Sequence, residues 1–358
     1  MSDFEQNLHR LQEAVAESDF DAVLVSSPAN RFFITGFPSS DGIVLVSAHE
    51  ALFATDFRYM EAAERVIGGM TMVMAGLGHD YTEIANEFLS RNHVRTLGFE
   101  DSISYGEYQG KTAALHAEFV PLGTFLTDLR RIKQPFELAR LRAAQAIADE
   151  AFGKLLSKIT VGISEKEIAL ELYNLLMRGG GERLSFSSIV VSGENGSLCH
   201  GVPSERKVKK GEFVTIDFGC VYGGYCSDTT RTVAVGEPSE EMREVYKIVL
   251  DAQTAAIAAA RPGIVGRDLD AVARNHIASF GYGDAFGHGL GHGLGILCHD
   301  TDGASPRNPR VLPEGTVTTI EPGIYLAGKF GVRIEDVVIL KGDGCENITH
   351  APKELLVL

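Results

Sequence analysis

Two stretches of this chain share one design. Residues 212–235 and 316–340 each read as strand, glycine-marked break and returning strand, and each carries two carboxylates, Asp217 with Asp228 and Glu321 with Glu335. In the first, Gly223-Gly224 supplies the positive φ that a tight turn demands. Folding back on that turn sets Asp217 across from Asp228, and directly opposed side chains stand about 5 Å apart at Cβ. In the second, Pro322-Gly323 bends the chain and the segment from Gly331 returns with Glu335. Between the two lies Phe286-Gly-His-Gly-Leu-Gly-His292-Gly-Leu-Gly-Ile-Leu-Cys-His299-Asp300, whose glycines let backbone approach an ion or a substrate closely.

Four carboxylates in one place repel and drive each other's pKa upward unless a cation sits among them. Two divalent ions cancel that charge. Asp217, Asp228, His292, Glu321 and Glu335 therefore read as a two-metal hydrolytic site rather than a structural cluster. Hard oxygen donors with a single imidazole favour Mn²⁺, with Co²⁺ or Zn²⁺ as alternatives.

The rest of the sequence bounds this reading. A chain of 358 residues is long for one core and suits two domains. With 44% apolar and 23% charged residues it has the make-up of a soluble globular protein. A net charge of −15 argues against nucleic acid as a partner, because phosphate contacts need clustered Lys and Arg. Five cysteines, an odd number with no C-x-x-C, argue against a disulfide framework and for reduced thiols in the cytoplasm. Neither a signal peptide nor an apolar run long enough to span a membrane is visible.

Residues 1–128 alternate helical and strand patterns and are expected to form a smaller α/β domain. Leu8, Leu11 and Val15 mark a first amphipathic helix, and the runs at 21–26 and 42–47 mark buried strands. Residues 129–358 form the second domain, α+β with antiparallel sheet. Pro135 opens its first helix. Ser164-x-x-Glu167 is a capping box for a helix to Arg178. Further helices are expected from Glu240 to about Ala260 and from Arg267 to Ser279.

The set closely resembles the pita-bread metallopeptidases, the family of methionine aminopeptidase, aminopeptidase P and prolidase. The matching stretches are His200-Gly-Val-Pro-Ser, Thr215-Ile-Asp-Phe-Gly, Gly224-Tyr-Cys-Ser-Asp-Thr-Thr-Arg-Thr, Gly291-His-Gly-Leu-Gly-Ile-Leu-Cys-His-Asp, Thr319-Ile-Glu-Pro-Gly-Ile-Tyr and Gly331-Val-Arg-Ile-Glu-Asp. The N-terminal domain and the Arg130-Arg-Ile-Lys-Gln-Pro-Phe-Glu linker resemble those of the Xaa-Pro-specific members. The resemblance implies a creatinase-type N-terminal domain followed by a pita-bread catalytic domain. It implies that Asp217, Asp228, His292, Glu321 and Glu335 bind two metal ions, with Asp228 and Glu335 bridging. It makes Glu321 the proton shuttle, His299 the oxyanion donor and His200 a substrate contact. Tyr325, Arg231 and Arg333 become supporting or substrate-orienting groups. A homodimer acting on peptides with proline second is implied as well.

One departure bears on substrate length. The second histidine is followed by Asp300-Thr-Asp-Gly303-Ala-Ser-Pro306, and Gly303 stands where many prolidases carry an arginine associated with the free carboxylate of a dipeptide. Its absence favours an aminopeptidase that accepts longer peptides, with Arg307 or Arg310 as possible substitutes in a dipeptidase. Two other classes fit the fold: a peptide-binding module without activity, and a creatinase-like hydrolase without metal. Neither accounts for four carboxylates kept together with His292. Cys220, Cys226 and Cys298 flank the acidic residues and read as small packing groups.

Overall fold

The computed structural model describes residues 3–358. The chain divides into two compact units, one running to Arg130 and the other from Arg131 to Leu358. A division at 128/129 falls inside the helix Phe125–Arg131.

In the first unit the helix Asp3–Ala16 buries Leu8, Leu11 and Val15, the stripe its spacing predicts. The two apolar runs become the strands Ala22–Val25 and Ile43–Ser47, buried at every position. They pair antiparallel in the middle of a six-stranded sheet whose pairs toward both edges are parallel. Unbroken apolar runs suit strands covered on both faces.

In the second unit, Ser164 caps the helix Glu165–Arg178 as expected: its hydroxyl accepts the Glu167 amide at 3.2 Å, and the Glu167 carboxylate accepts the Ser164 amide at 2.8 Å. The helices Glu240–Ala259 and Gly266–Ser279 close one core through Ala252, Ala256, Leu269 and Ala273. The helix Pro135–Leu155 packs Ala148, Phe152 and Leu155 into a second.

Strand register positions the acidic residues. In the first hairpin the turn at Gly223 and Gly224 has φ of 56° and 81°, so Tyr222 pairs Tyr225. The same register runs on to Asp217 opposite Thr230. Asp228 therefore falls opposite Gly219, not Asp217. The two aspartates are diagonal neighbours on one face rather than the directly opposed pair that folding on the turn suggests, because Asp228 lies two residues nearer the turn.

The second hairpin differs from expectation in another way. Pro322-Gly323 is not its turn. The strand resumes at Gly323, the chain reverses at residues 327–329, where Gly328 has φ of 72°, and Gly323 pairs Arg333 on the way back. Beyond the proline the same register continues to Ile320 opposite Asp336. Glu321 and Glu335 thus oppose each other across the break that Pro322, lacking an N–H, makes in the ladder. Their amides turn elsewhere: Glu321 donates to the Leu290 carbonyl at 2.8 Å and Glu335 to the Thr230 carbonyl at 3.1 Å. The break ties the second hairpin to the histidine loop on one side and to the first hairpin on the other.

Candidate metal centre

The five residues meet. Donor atoms of Asp228, His292 and Glu335 all lie within 4.8 Å of one another. The His292 Nε2 stands 3.5 Å from Asp228 Oδ2 and 3.6 Å from Glu321 Oε1. Asp217 is held against the group by Arg333, whose Nη2 donates to its Oδ2 at 2.6 Å. The Gly-rich loop makes this approach possible: a Cβ on Gly291 would stand 1.9 Å from the Thr319 carbonyl oxygen. Thr319 in turn donates its amide to the His292 carbonyl at 2.9 Å, fixing the loop to the Glu321 strand.

Electrostatics report crowding. Burial, followed by the charges of Asp217 and Glu321, raises the Asp228 carboxyl well above the usual range. Burial and the charges of Asp228, Glu321 and Asp217 do the same to Glu335. Glu321 is pushed up to about 8, by burial first and by Asp217, against the opposing pull of Arg333. His292 is depressed to about 4 by burial and by its neighbour His299, so it is a neutral imidazole. Its Nδ1 faces the Gly293 carbonyl at 3.3 Å, which leaves Nε2 as the free lone pair aimed at the carboxylates.

The donor set fits divalent cations. Asp217 Oδ1 is buried with no hydrogen-bond partner, an acceptor whose solvation has been removed and not replaced. The other acids are each steadied by one donor: Thr230 on Glu335 at 2.8 Å, Thr319 on Glu321 at 3.2 Å, and the Cys298 thiol on Asp228 at 3.1 Å. Such single supports orient a carboxylate while leaving lone pairs for an ion.

The supporting residues separate into two kinds. Arg333 is buried, and its net charge is secured by Tyr325, Asp217 and Glu321 despite the penalty of burial. It donates to Asp217, to the Tyr325 hydroxyl at 3.0 Å and to Thr230 at 3.1 Å. Arg231 instead spends all five donors on the fold: the carbonyls of Pro352, Thr230, Glu335 and Ala351, and the Asp336 carboxylate at 2.7 Å. It has no donor left for substrate and acts on the site by fixing the Glu335 backbone. Burial pushes the Asp336 carboxyl up, but Arg231 and Lys353 outweigh this and hold it below its ordinary value. Replacing Arg231 with alanine leaves that carboxylate short of its main buried partner, and a loss of about 3–5 kcal/mol is expected. Urea unfolding of R231A measures it, and a loss under about 1 kcal/mol would refute the assignment.

His299 and His200 are exposed side chains. The His299 ring lies 3.9 Å, centroid to centroid, from that of His292. The part of its ring that is covered, and the neighbouring His200, lower its pKa, so it is a neutral N–H donor at neutral pH. Four contributors were not anticipated. His288 gives its Nδ1 hydrogen to the Gly289 carbonyl at 2.8 Å, so its Nε2 accepts from the Tyr325 hydroxyl, also at 2.8 Å. This completes a chain from His288 through Tyr325 and Arg333 to Asp217. Gln145 accepts the Asp228 amide at 3.3 Å, and Thr230 and Thr319 hold the two glutamates. Repetition in Gly-His-Gly-Leu-Gly-His gives the two histidines equal standing on paper, and strand threonines read as ordinary β-formers.

Comparison with known proteins decides what this geometry belongs to. Residues 139–341 match metallopeptidase family M24, and residues 7–132 match the creatinase/prolidase N-terminal domain. The chain belongs to family M24. It is 36% identical over 354 residues to a Xaa-Pro dipeptidase of Pyrococcus furiosus, covering 98% of this chain and 99% of that protein. A Xaa-Pro dipeptidase structure from Bacillus anthracis aligns with a TM-score of 0.95 at 41% identity, covering 99% of this chain and all, 100%, of that one. An X-Pro aminopeptidase structure from Thermotoga maritima aligns with a TM-score of 0.91 at 36% identity, covering 98% and 99% of the two chains. This M24 protein is a metallopeptidase with the α+β pita-bread fold behind a creatinase-type N-terminal domain. The family works with two divalent ions, and the converging donors suit that requirement. Among the described residues, no helix is long and apolar enough to cross a membrane.

Proposed function

We propose that this M24 metallopeptidase is an exopeptidase that hydrolyses the Xaa-Pro bond at the N-terminus of peptides. The convergence of Asp228, Glu335 and Glu321 on His292, beside an orphaned Asp217 oxygen, is the observation that carries the reading. Asp217, Asp228, His292, Glu321 and Glu335 would hold the two ions, with Mn²⁺ the physiological metal. When bound, such ions polarise the scissile carbonyl and lower the pKa of water. The chain's own residues do the rest. Glu321, steadied by the Thr319 hydroxyl, receives the proton of the attacking water and delivers it to the leaving nitrogen. His299 presents a neutral N–H toward the oxygen on which charge develops. His200, exposed beside it, contacts substrate. The His288–Tyr325–Arg333 chain fixes Asp217 so that the charged centre does not reorganise during the reaction.

Substrate length separates two readings. Gly303 packs on the histidine loop, where a Cβ would stand 2.6 Å from the His292 Cα, so no side chain at this position can clasp a dipeptide carboxylate. Arg310 lies 3.9 Å from Asp302. These observations favour an Xaa-Pro aminopeptidase. The names of the Pyrococcus and Bacillus relatives favour an Xaa-Pro dipeptidase. Purified protein given Mn²⁺ is expected to release alanine from Ala-Pro-Ala and to stop doing so after chelation. Cleavage confined to Ala-Pro would establish the dipeptidase, and no metal-dependent turnover of either would overturn the proposal. The homodimer implied by the resemblance is checked on the same preparation by light scattering.

A further inference from the structure

Cys298 steadies Asp228 in the proposed hydrolysis, and its thiol is placed to do more. The Sγ lies 3.1 Å from Asp228 Oδ2. Donor atoms of His292, Cys298 and His299 all lie within 4.8 Å of one another. The two imidazoles face each other at 3.9 Å with a tilt of 34°. Cys298 is half-buried and His299 exposed, so this group opens to solvent. Beside its packing, Cys298 completes a second group of donor atoms.

That set has a different chemical character from the first. Two nitrogens and a sulfur, with the Asp228 oxygen alongside, match what Zn²⁺ and softer ions take in tetrahedral sites, whereas the carboxylate-rich set suits harder ions. Tetrahedral ligands at ordinary zinc bond lengths stand roughly 3.5 Å apart, so side chains within the observed spread reach that geometry by rotamer adjustments of about 1 Å. His292 is common to both groups, Asp228 stands 3.1 Å from the Cys298 sulfur, and one imidazole lone pair cannot serve two ions.

We propose that His292, Cys298 and His299, with Asp228, form an alternative site selective for thiophilic divalent cations, whose occupation takes His292 and Asp228 away from the hydrolytic set. The centre then discriminates between metals by exclusion: a soft ion seated on sulfur blocks loading of the productive pair. The site itself stands on donor geometry and does not require the Xaa-Pro reading. Only its inhibitory consequence does.

Cd²⁺ titrated into chelator-stripped protein tests it without substrate. The expected result is a sulfur-to-cadmium charge-transfer band in the ultraviolet that saturates at one equivalent, is lost in both C298S and C298A, and persists in C199S. Cadmium affinity, read by competition with a chromophoric chelator, should fall at least tenfold in C298S. Circular dichroism of the two variants identifies any that fail to fold, and the surviving one decides. No band in the parent protein, or an unchanged band in a folded Cys298 variant, overturns the site. With Mn²⁺-activated enzyme, the cadmium concentration for half inhibition should rise at least tenfold in C298S. Inhibition unchanged by the substitution overturns the exclusion mechanism even where the band is present.

Discussion

Replacing Asp228 with asparagine should move activity and metal-free stability in opposite directions. Asp228 is only 3% exposed, and burial with the neighbouring acids raises its carboxyl well above the usual range. In the absence of ions the aspartate is therefore held against repulsion, and a neutral isostere of the same shape relieves it. Asparagine also retains an oxygen to accept from the Cys298 thiol. The metal-free variant is expected to gain on the order of 1–2 kcal/mol, seen as a higher melting temperature in chelator. Catalysis should collapse. Changing a group that merely supports a ligand costs 10–100-fold, so removing the charge of a shared ligand is expected to cost about 10³-fold or more in kcat/KM. Retained activity would show that Asp228 is not a ligand. A metal-free variant less stable than the parent would show that it is not held under repulsion.

The same residues show what was legible in the sequence. Helix starts and the apolar strands were open to reading because Pro135, the Ser164 capping box and unbroken aliphatic runs are local signals with local causes. The acidic residues stood out because carboxylates are rare beside strand interiors and glycines. Register was legible only where the turn was identified. A two-residue turn at Gly223-Gly224 dictates by counting that Asp217 faces Thr230, so the diagonal placement of Asp228 is implicit in the turn itself. Pro322-Gly323 carries turn chemistry without turning, because the proline interrupts a ladder that resumes on the same register. Nothing local separates His288 from His292. Their difference arises from Tyr325, 37 residues away, which engages one and not the other. Cys298 is ordinary in sequence and acquires a role through its distance to Asp228, a tertiary fact.

Metal-free protein should lose stability as pH rises from about 6.5 to about 8, and bound ions should abolish that loss. Two kinds of group compete at lower pH. His292 and His288 are both depressed to about 4 by burial, so the folded state binds fewer protons there than the unfolded chain, and stability rises with pH until the ordinary histidine value near 6.5 is passed. Glu321 acts the other way. Its carboxyl is raised to about 8, so above the ordinary value of 4.5 the folded state binds more protons than the unfolded one, and stability falls as pH rises. Below 6.5 the histidine gain opposes the carboxyl loss. Between 6.5 and 8 each histidine has only about 0.4 kcal/mol left to add, while Glu321 is still losing its proton inside a crowded acidic centre. Over that span Glu321 alone loses about 1.6 kcal/mol, twice the roughly 0.8 kcal/mol that the two histidines still add, and the raised carboxyls of Asp228 and Glu335 act in the same direction as Glu321. Divalent ions replace the missing positive charge, so the stabilisation they confer should grow across the same interval. Melting curves at pH 6.5, 7.2 and 8.0, in chelator and in Mn²⁺, measure both. A metal-free melting temperature that rises across the interval would mean that the acids are not held together as a repelling group. A metal effect independent of pH would mean that the ions are bound elsewhere.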